Sequence, residues 1–119
     1  MLTTPEQIKD ATVAALEDVK GFDITVLDVQ KMTSLTCYMV VCSGNSNRQT
    51  RALADNVFTT LKEKGCEPRS IEGEKEGEWV LVDCGDVIVH VMLPTTRAYY
   101  NLEQLWGEAT NRTARQQAA

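Results

Sequence analysis

The sequence is poor in the residues that build metal and redox sites. It has one histidine in 119 residues, and its four cysteines, Cys37, Cys42, Cys66 and Cys84, show no Cys-x-x-Cys spacing. That excludes a Cys/His zinc signature and leaves reduced thiols packed as small hydrophobes as the expectation. Long apolar runs are missing too: none approaches the roughly 20 residues that span a bilayer, so no membrane segment is expected. Neither a Gly-x-x-x-x-Gly-Lys-Ser/Thr loop nor a Gly-x-Gly-x-x-Gly fingerprint is present, which removes the usual phosphate cradles. Asp-x-Asp is absent, and with it the paired strand carboxylates that hold two Mg²⁺ ions in nucleotidyl transfer. Positive charge is in deficit. Against 17 Asp and Glu there are 12 Lys and Arg, a formal net charge of −5, which argues against a direct grip on phosphate backbones and suits a basic protein partner or plain solubility. The first residues, Met1-Leu2-Thr3-Thr4-Pro5-Glu6, carry no basic and apolar leader regions, and a cytoplasmic address is the expectation.

What is present is a hydrophobic fraction of 43%, enough for one domain that buries roughly two-thirds of its unfolded surface. The richest stretch runs from Glu78 to Leu93, where two β-branched runs flank Cys84-Gly85 and predict a hairpin. With Cys84-Gly85 as a two-residue turn, Asp83 faces Asp86, Val82 faces Val87 and Trp79 faces His90. Alternation then sorts the hairpin into two faces. One carries Val80, Val82, Val87, Val89 and Val91. The other carries Trp79, Leu81, Ile88, His90 and Met92. Burying four such apolar side chains contributes about 1.5 to 3 kcal/mol each, against a net domain stability of roughly 5 to 15 kcal/mol, so the second face needs cover from this chain or from a partner.

In chain order, Thr4-Pro5-Glu6-Gln7 predicts a capped helix running to Lys20 and stopping at Gly21. Phe22 to Gln30 and Leu35 to Cys42 read as strands, the second apolar on both faces and therefore central, with Lys31 to Ser34 short enough to join them as a hairpin. Ser43-Gly44-Asn45-Ser46-Asn47 breaks the strand and caps a long helix, whose apolar face holds Thr50, Leu53, Ala54, Val57, Phe58 and Leu61 and which Gly65 ends. Arg51, on the outer face, is expected to be inert. Pro68 to Ile71 reads as a short strand, followed by a mobile acidic loop up to Gly77. After the hairpin, Pro94 starts a last helix that ends near Trp106-Gly107, with Ala98, Tyr99, Leu102, Leu105 and Trp106 on one side and Arg97, Tyr100 and Gln104 on the other. The domain is expected to occupy residues 1–107, and residues 108–119 to form a flexible C-terminal tail.

Several of these residues recur together in one family. They are the strand Asp23-Ile24-Thr25-Val26-Leu27-Asp28-Val29, Ser43-Gly44 with Ser46 and Arg48, Ile71-Glu72-Gly73, the run from Trp79 through Val82-Asp83-Cys84-Gly85-Asp86 to Met92, and Arg97, Tyr100, Leu102-Glu103 and Leu105-Trp106. In order and spacing the chain resembles the Iojap family, the bacterial ribosomal silencing factors and their organellar relatives, from Ile8 to Trp106. The family often has a bulky aliphatic residue where Cys84 stands, a departure expected to touch only the turn. The resemblance implies an α+β fold, a single mixed β-sheet flanked by helices and related in topology to nucleotidyltransferases, in a protein that binds and does not catalyse and that uses no cofactor. It implies as partner the fourteenth protein of the large ribosomal subunit, and a block on joining of the two subunits when nutrients are scarce. No membrane and no direct nucleic-acid readout is implied, and a homodimer is left open.

The residues supply their own candidate for such an interface. Trp79, Met92 and Leu93 lie at the open end of the hairpin, and the helix with Arg97 and Tyr100 begins a few residues on. Trp, Tyr and Arg are the side chains that dominate interface energetics. The candidate partner-binding residues are Trp79, His90, Met92, Leu93, Arg97, Tyr99 and Tyr100. The competing reading, a nucleotidyltransferase-like enzyme or nucleotide-binding domain, rests on the Gly44 to Ser46 turn and on fold analogy, which does not carry function.

Overall fold

Thr4 caps the first helix, α1 (Pro5–Asp18): its hydroxyl accepts the Gln7 N–H at 3.1 Å and its own N–H donates to the Gln7 side chain at 3.3 Å. The helix closes at Val19, just short of the expected Lys20, because Lys20 adopts a left-handed backbone, φ 65°, and turns the chain towards the sheet. The computed structural model describes residues 2–102 and 110–113. Its remaining elements are β1 (Phe22–Asp28), β2 (Tyr38–Ser43), α2 (Asn47–Glu63), β3 (Ser70–Glu72), β4 (Trp79–Asp83), β5 (Val87–Met92), α3 (Pro94–Tyr100) and β6 (Thr110–Thr113).

The strands form a single six-stranded mixed sheet in the order β3-β4-β5-β2-β1-β6. β2 and β5 run parallel and the other neighbours antiparallel. A parallel pair needs a long crossover, and α2 with β3 and β4 provides it. Both faces of the sheet are apolar. Val40, Val80, Val82, Val89 and Val91 point to the face covered by α1, through Ile8 and Leu16, and by α2, through Leu53, Val57 and Leu61. On the opposite face Leu27, Val29, Met39, Val41 and Met92 form a second cluster, against which Trp79 and Leu102 pack. The second face of the hairpin is therefore covered in part by the chain itself.

Five expectations change in detail. The hairpin register is two residues longer, with Trp79 opposite Met92, Leu81 opposite His90 and Asp83 opposite Ile88. Gly85, at φ 82°, sits at the head of the turn, and Cys84 N–H donates to Val87 O at 2.9 Å, so the turn centres on Gly85-Asp86. A slip of two residues preserves the side-chain faces, which is why their composition was read correctly with the wrong partners. β2 begins at Tyr38: Leu35 is 84% exposed, because the Met32 and Thr33 N–H groups return to Val29 O and divert the chain into turns. Cys84 is buried in the first core, which with desolvation pushes its thiol up to about 12, so the departure from the family pattern reaches beyond the turn. Within the expected tail, Thr110–Thr113 pairs antiparallel with β1, whose outer edge offers unpaired backbone groups. The expected helix end at Trp106-Gly107 lies outside the described residues, but α3 stops at Tyr100, where Asn101 turns left-handed at φ 49°.

Candidate functional site

The candidate residues gather where β4 and β5 end and α3 begins. Trp79 is paired with Met92, and Leu93 N–H donates to Glu78 O at 3.0 Å, which closes the open end of the hairpin. Pro94 fills the first position of α3, where its missing N–H costs nothing, so the strand passes into a helix without a loop. β5 therefore leads into α3 within two residues.

Buried His90 and half-buried Arg97 support the patch from below. Trp79 Nε1–H donates to His90 Nδ1 at 2.9 Å. An indole N–H can only donate, so Nδ1 accepts and the neutral imidazole carries its proton on Nε2. His90 is 6% exposed, and burial pushes its pKa down to about 4, which keeps it in this acceptor form at neutral pH. Arg97 is the second support. Its guanidinium donates to Asp23 O at 2.5 Å, to Ser43 Oγ at 2.9 Å and to Thr25 Oγ1 at 2.9 Å, which ties α3 to β1 and β2. The Asp23 carbonyl is turned towards it by a bulge, where Asp23 takes φ 51° and the β1–β2 register shifts.

With Arg97 turned inward, the face of α3 inferred by extending the helix to Trp106 is replaced. Tyr99, placed on the packed side by that extension, is 82% exposed, and Tyr100 is 52% exposed. The Tyr100 ring lies 4.6 Å from that of Trp79, centroid to centroid and tilted by 48°, and Tyr99 meets Tyr100 edge-on at 5.0 Å. Trp79 and Leu93 are half-buried. His90 and Met92 are buried, and so support this surface without offering contact area themselves.

One part of the site escaped sequence reasoning. The loop from Gly73 to Glu78 runs along the patch, and α2 holds it. Arg51 Nε donates to Glu74 O at 2.6 Å and its Nη2 to Lys75 O at 2.9 Å. Asn47 Nδ2 donates to Glu76 O at 2.7 Å, and the Thr50 hydroxyl donates to Gly77 O. Arg51 is thus an anchor and not an inert surface residue, and the loop expected to be mobile is tied down along its length. Asn47, Thr50 and Arg51 stand three and four residues apart, the spacing that puts them on one helix face, but their acceptors are backbone carbonyls that no side-chain pattern reveals. Glycine is required at position 73: a Cβ there would lie 2.1 Å from Trp79 O, at a φ of 87°. Between this loop and α3 lies an open groove of about 410 Å³, lined by Gly73, Glu76 and Glu78 of the loop, by Trp79, and by Thr95, Thr96, Tyr99 and Tyr100 of α3.

The residues of the competing reading have structural work. Asp83 Oδ1 accepts the Gly85 N–H at 2.8 Å, as a turn residue. Ser46 caps α2 by accepting the Gln49 N–H at 3.1 Å, and Ser43 is bonded to Arg97. Gly44 packs on Thr50 and Leu53 of α2. Among the described residues, no helix is long and apolar enough to cross a membrane.

The chain matches, over residues 2–119, the family model described as ribosomal silencing factor during starvation. It is similar to the ribosomal silencing factor of Chromobacterium violaceum, 54% identical over 102 residues that make up 86% of this chain and 84% of that one. Its likeness to the ribosomal silencing factor of Bacillus subtilis is 40% identity over 104 residues, 87% of this chain and 88% of the relative. A crystal structure of a Chromobacterium violaceum protein superposes with a TM-score of 0.87 at 50% identity, covering 94% of this chain and 93% of that chain.

Proposed function

Because the chain belongs to the ribosomal silencing factor family, we propose that it represses translation by binding, in the cytoplasm, to the fourteenth protein of the large ribosomal subunit and keeping the small subunit from joining. The observation that carries this reading is the aromatic patch: Tyr99 and Tyr100 project from a helix that Arg97 ties to the sheet, next to Trp79, whose indole His90 holds. Large rings held rigid before contact lose little entropy when a partner covers them, which is the composition and the condition of an interface hot spot. Nothing in the interior explains Tyr99 at that exposure, whereas a partner does. An acidic chain also suits a basic ribosomal protein, since complementary charge speeds association. The proposed block is steric. A body measuring 32 × 32 × 28 Å on the joining face of the large subunit occupies space that the small subunit needs.

The test is to mix separated subunits with an excess of the protein and measure joined ribosomes by sedimentation. A dose-dependent fall in joined ribosomes, with the protein travelling alongside the large subunit, is expected. Undiminished joining at saturating protein contradicts the proposal.

A further inference from the structure

The groove beside the patch is lined by two unlike groups of side chains. The Trp79 and Tyr100 rings pack on each other with centroids 4.6 Å apart, and Tyr99 is edge-on to Tyr100. Glu76 and Glu78, both exposed, line the same groove from a loop whose backbone α2 fixes through Arg51 and Asn47. The described lining holds these two carboxylates and no basic side chain. The nearest cation along α3, Arg97, is turned away onto the sheet.

Ring faces are electron-rich and carboxylates are anionic, so both groups attract a cation and both repel a phosphate. A volume of about 410 Å³, open to solvent, admits one long side chain end-on. A planar guanidinium suits it best, because it can stack on a ring and still donate in its own plane to carboxylates, whereas an ammonium offers only a point charge. Resting on the functional reading above, we propose that the groove receives an arginine side chain from a basic surface of the protein partner, stacked on Trp79 and Tyr100 and bonded at its edge by Glu76 and Glu78. This assigns Glu76 and Glu78 a recognition role and makes the net acidity of the chain local at the site of contact.

Two measurements test it. In the first, a short arginine-bearing peptide is titrated against the full chain while the Trp79 indole N–H and the Gly73 and Gly77 amides are followed by NMR. The same peptide with citrulline, an uncharged isostere of arginine, is the control. Saturable shifts with arginine only, weakened about tenfold in Glu76→Gln/Glu78→Gln, support the proposal. Equal shifts with citrulline, or shifts spread over the whole acidic surface, overturn it. So does a concentration-dependent change without peptide, which would make the occupant a second copy of the chain.

In the second, purified large subunits are the probe. Tyr100→Phe should bind within about twofold of the parent and Tyr100→Leu about tenfold more weakly, because only the ring face distinguishes them. If Tyr100→Ala abolishes binding while Glu76→Gln/Glu78→Gln and Tyr100→Leu bind like the parent, the patch docks without a cation: the proposal falls and the functional reading stands. If the arginine peptide binds as expected but none of these variants alters large-subunit binding, the groove prefers a cation but the partner docks elsewhere: the proposal falls, and the functional reading falls only if joining is also undiminished at saturating protein.

Discussion

At the scale of single residues, the candidate site separates exposed aromatic side chains from those that hold them in place. Arg97 belongs to the second group. Its acceptors Ser43 and Thr25 are buried and lie 54 and 72 residues away in sequence, and Asp23 lies 74 away, so no local pattern could have shown that the guanidinium faces inward. Arg97→Ala should cost on the order of 2 kcal/mol of stability, since hydrogen bonds to a charged group are lost and buried hydroxyls lose a partner. Arg97→Lys should restore little of it, because one ammonium cannot serve acceptors that a planar fork reaches together. Urea denaturation checks both, and a midpoint shared by Arg97→Ala and the parent would show that the strut contributes nothing. His90 gives a pH prediction. A free imidazole titrates near 6.5, and burial in this fold lowers that to about 4. The unfolded chain therefore binds more protons between those values, so the stability His90 allows is complete above pH 6.5 and is lost as pH falls towards 4. Between pH 7 and pH 5 the loss should be about 2 kcal/mol in the parent and absent in His90→Gln. Protonation also puts a donor on Nδ1 against the Trp79 N–H, so the indole emission should change over the same range.

At the scale of elements, α2 both covers the first core and positions the groove's acidic lining. Arg51→Ala removes the donors to Glu74 O and Lys75 O while leaving the apolar face of the helix intact. Amides from Gly73 to Glu78 should then exchange about tenfold faster, with global stability changed much less, and large-subunit binding should weaken with them. Unchanged exchange in that loop would mean that Asn47 and Thr50 suffice to hold it. The elements themselves were legible because their causes are local: the Thr4 capping box, the apolar face from Thr50 to Leu61, and the alternating valines of β4 and β5 all announce themselves by spacing. What failed was set by single backbone conformations. Lys20 and Asn101 turn left-handed and end α1 and α3 earlier than periodicity implied, and the exposure of Tyr99 follows from the second of these. At the site, the aromatic members Trp79, Tyr99 and Tyr100 were legible as large rings crowded near one hairpin end. The inward turn of Arg97, the burial of Met92 and the anchoring by Arg51 depend on tertiary partners, which a linear pattern does not record.

At the scale of the whole molecule, the chain is an acidic body whose sheet is covered by helices on one face and in part on the other, with an aromatic patch at the junction of β4, β5 and α3. A basic partner should be steered to it, so the association rate with large subunits should fall as salt rises while dissociation changes little. A rate indifferent to salt would assign the encounter to apolar contact alone. The central claim is that Tyr99 and Tyr100 are spent on a partner and not on the fold. The direct measurement is to compare Tyr99→Ala/Tyr100→Ala with the parent in two assays on the same preparation, thermal unfolding and co-sedimentation with large subunits. Truncation of residues at the centre of an interface typically costs about 2 kcal/mol or more, roughly 30-fold in affinity. The account predicts a melting temperature close to the parent's and binding lost by at least that factor; binding equal to the parent's, or lost only in step with unfolding, would contradict it.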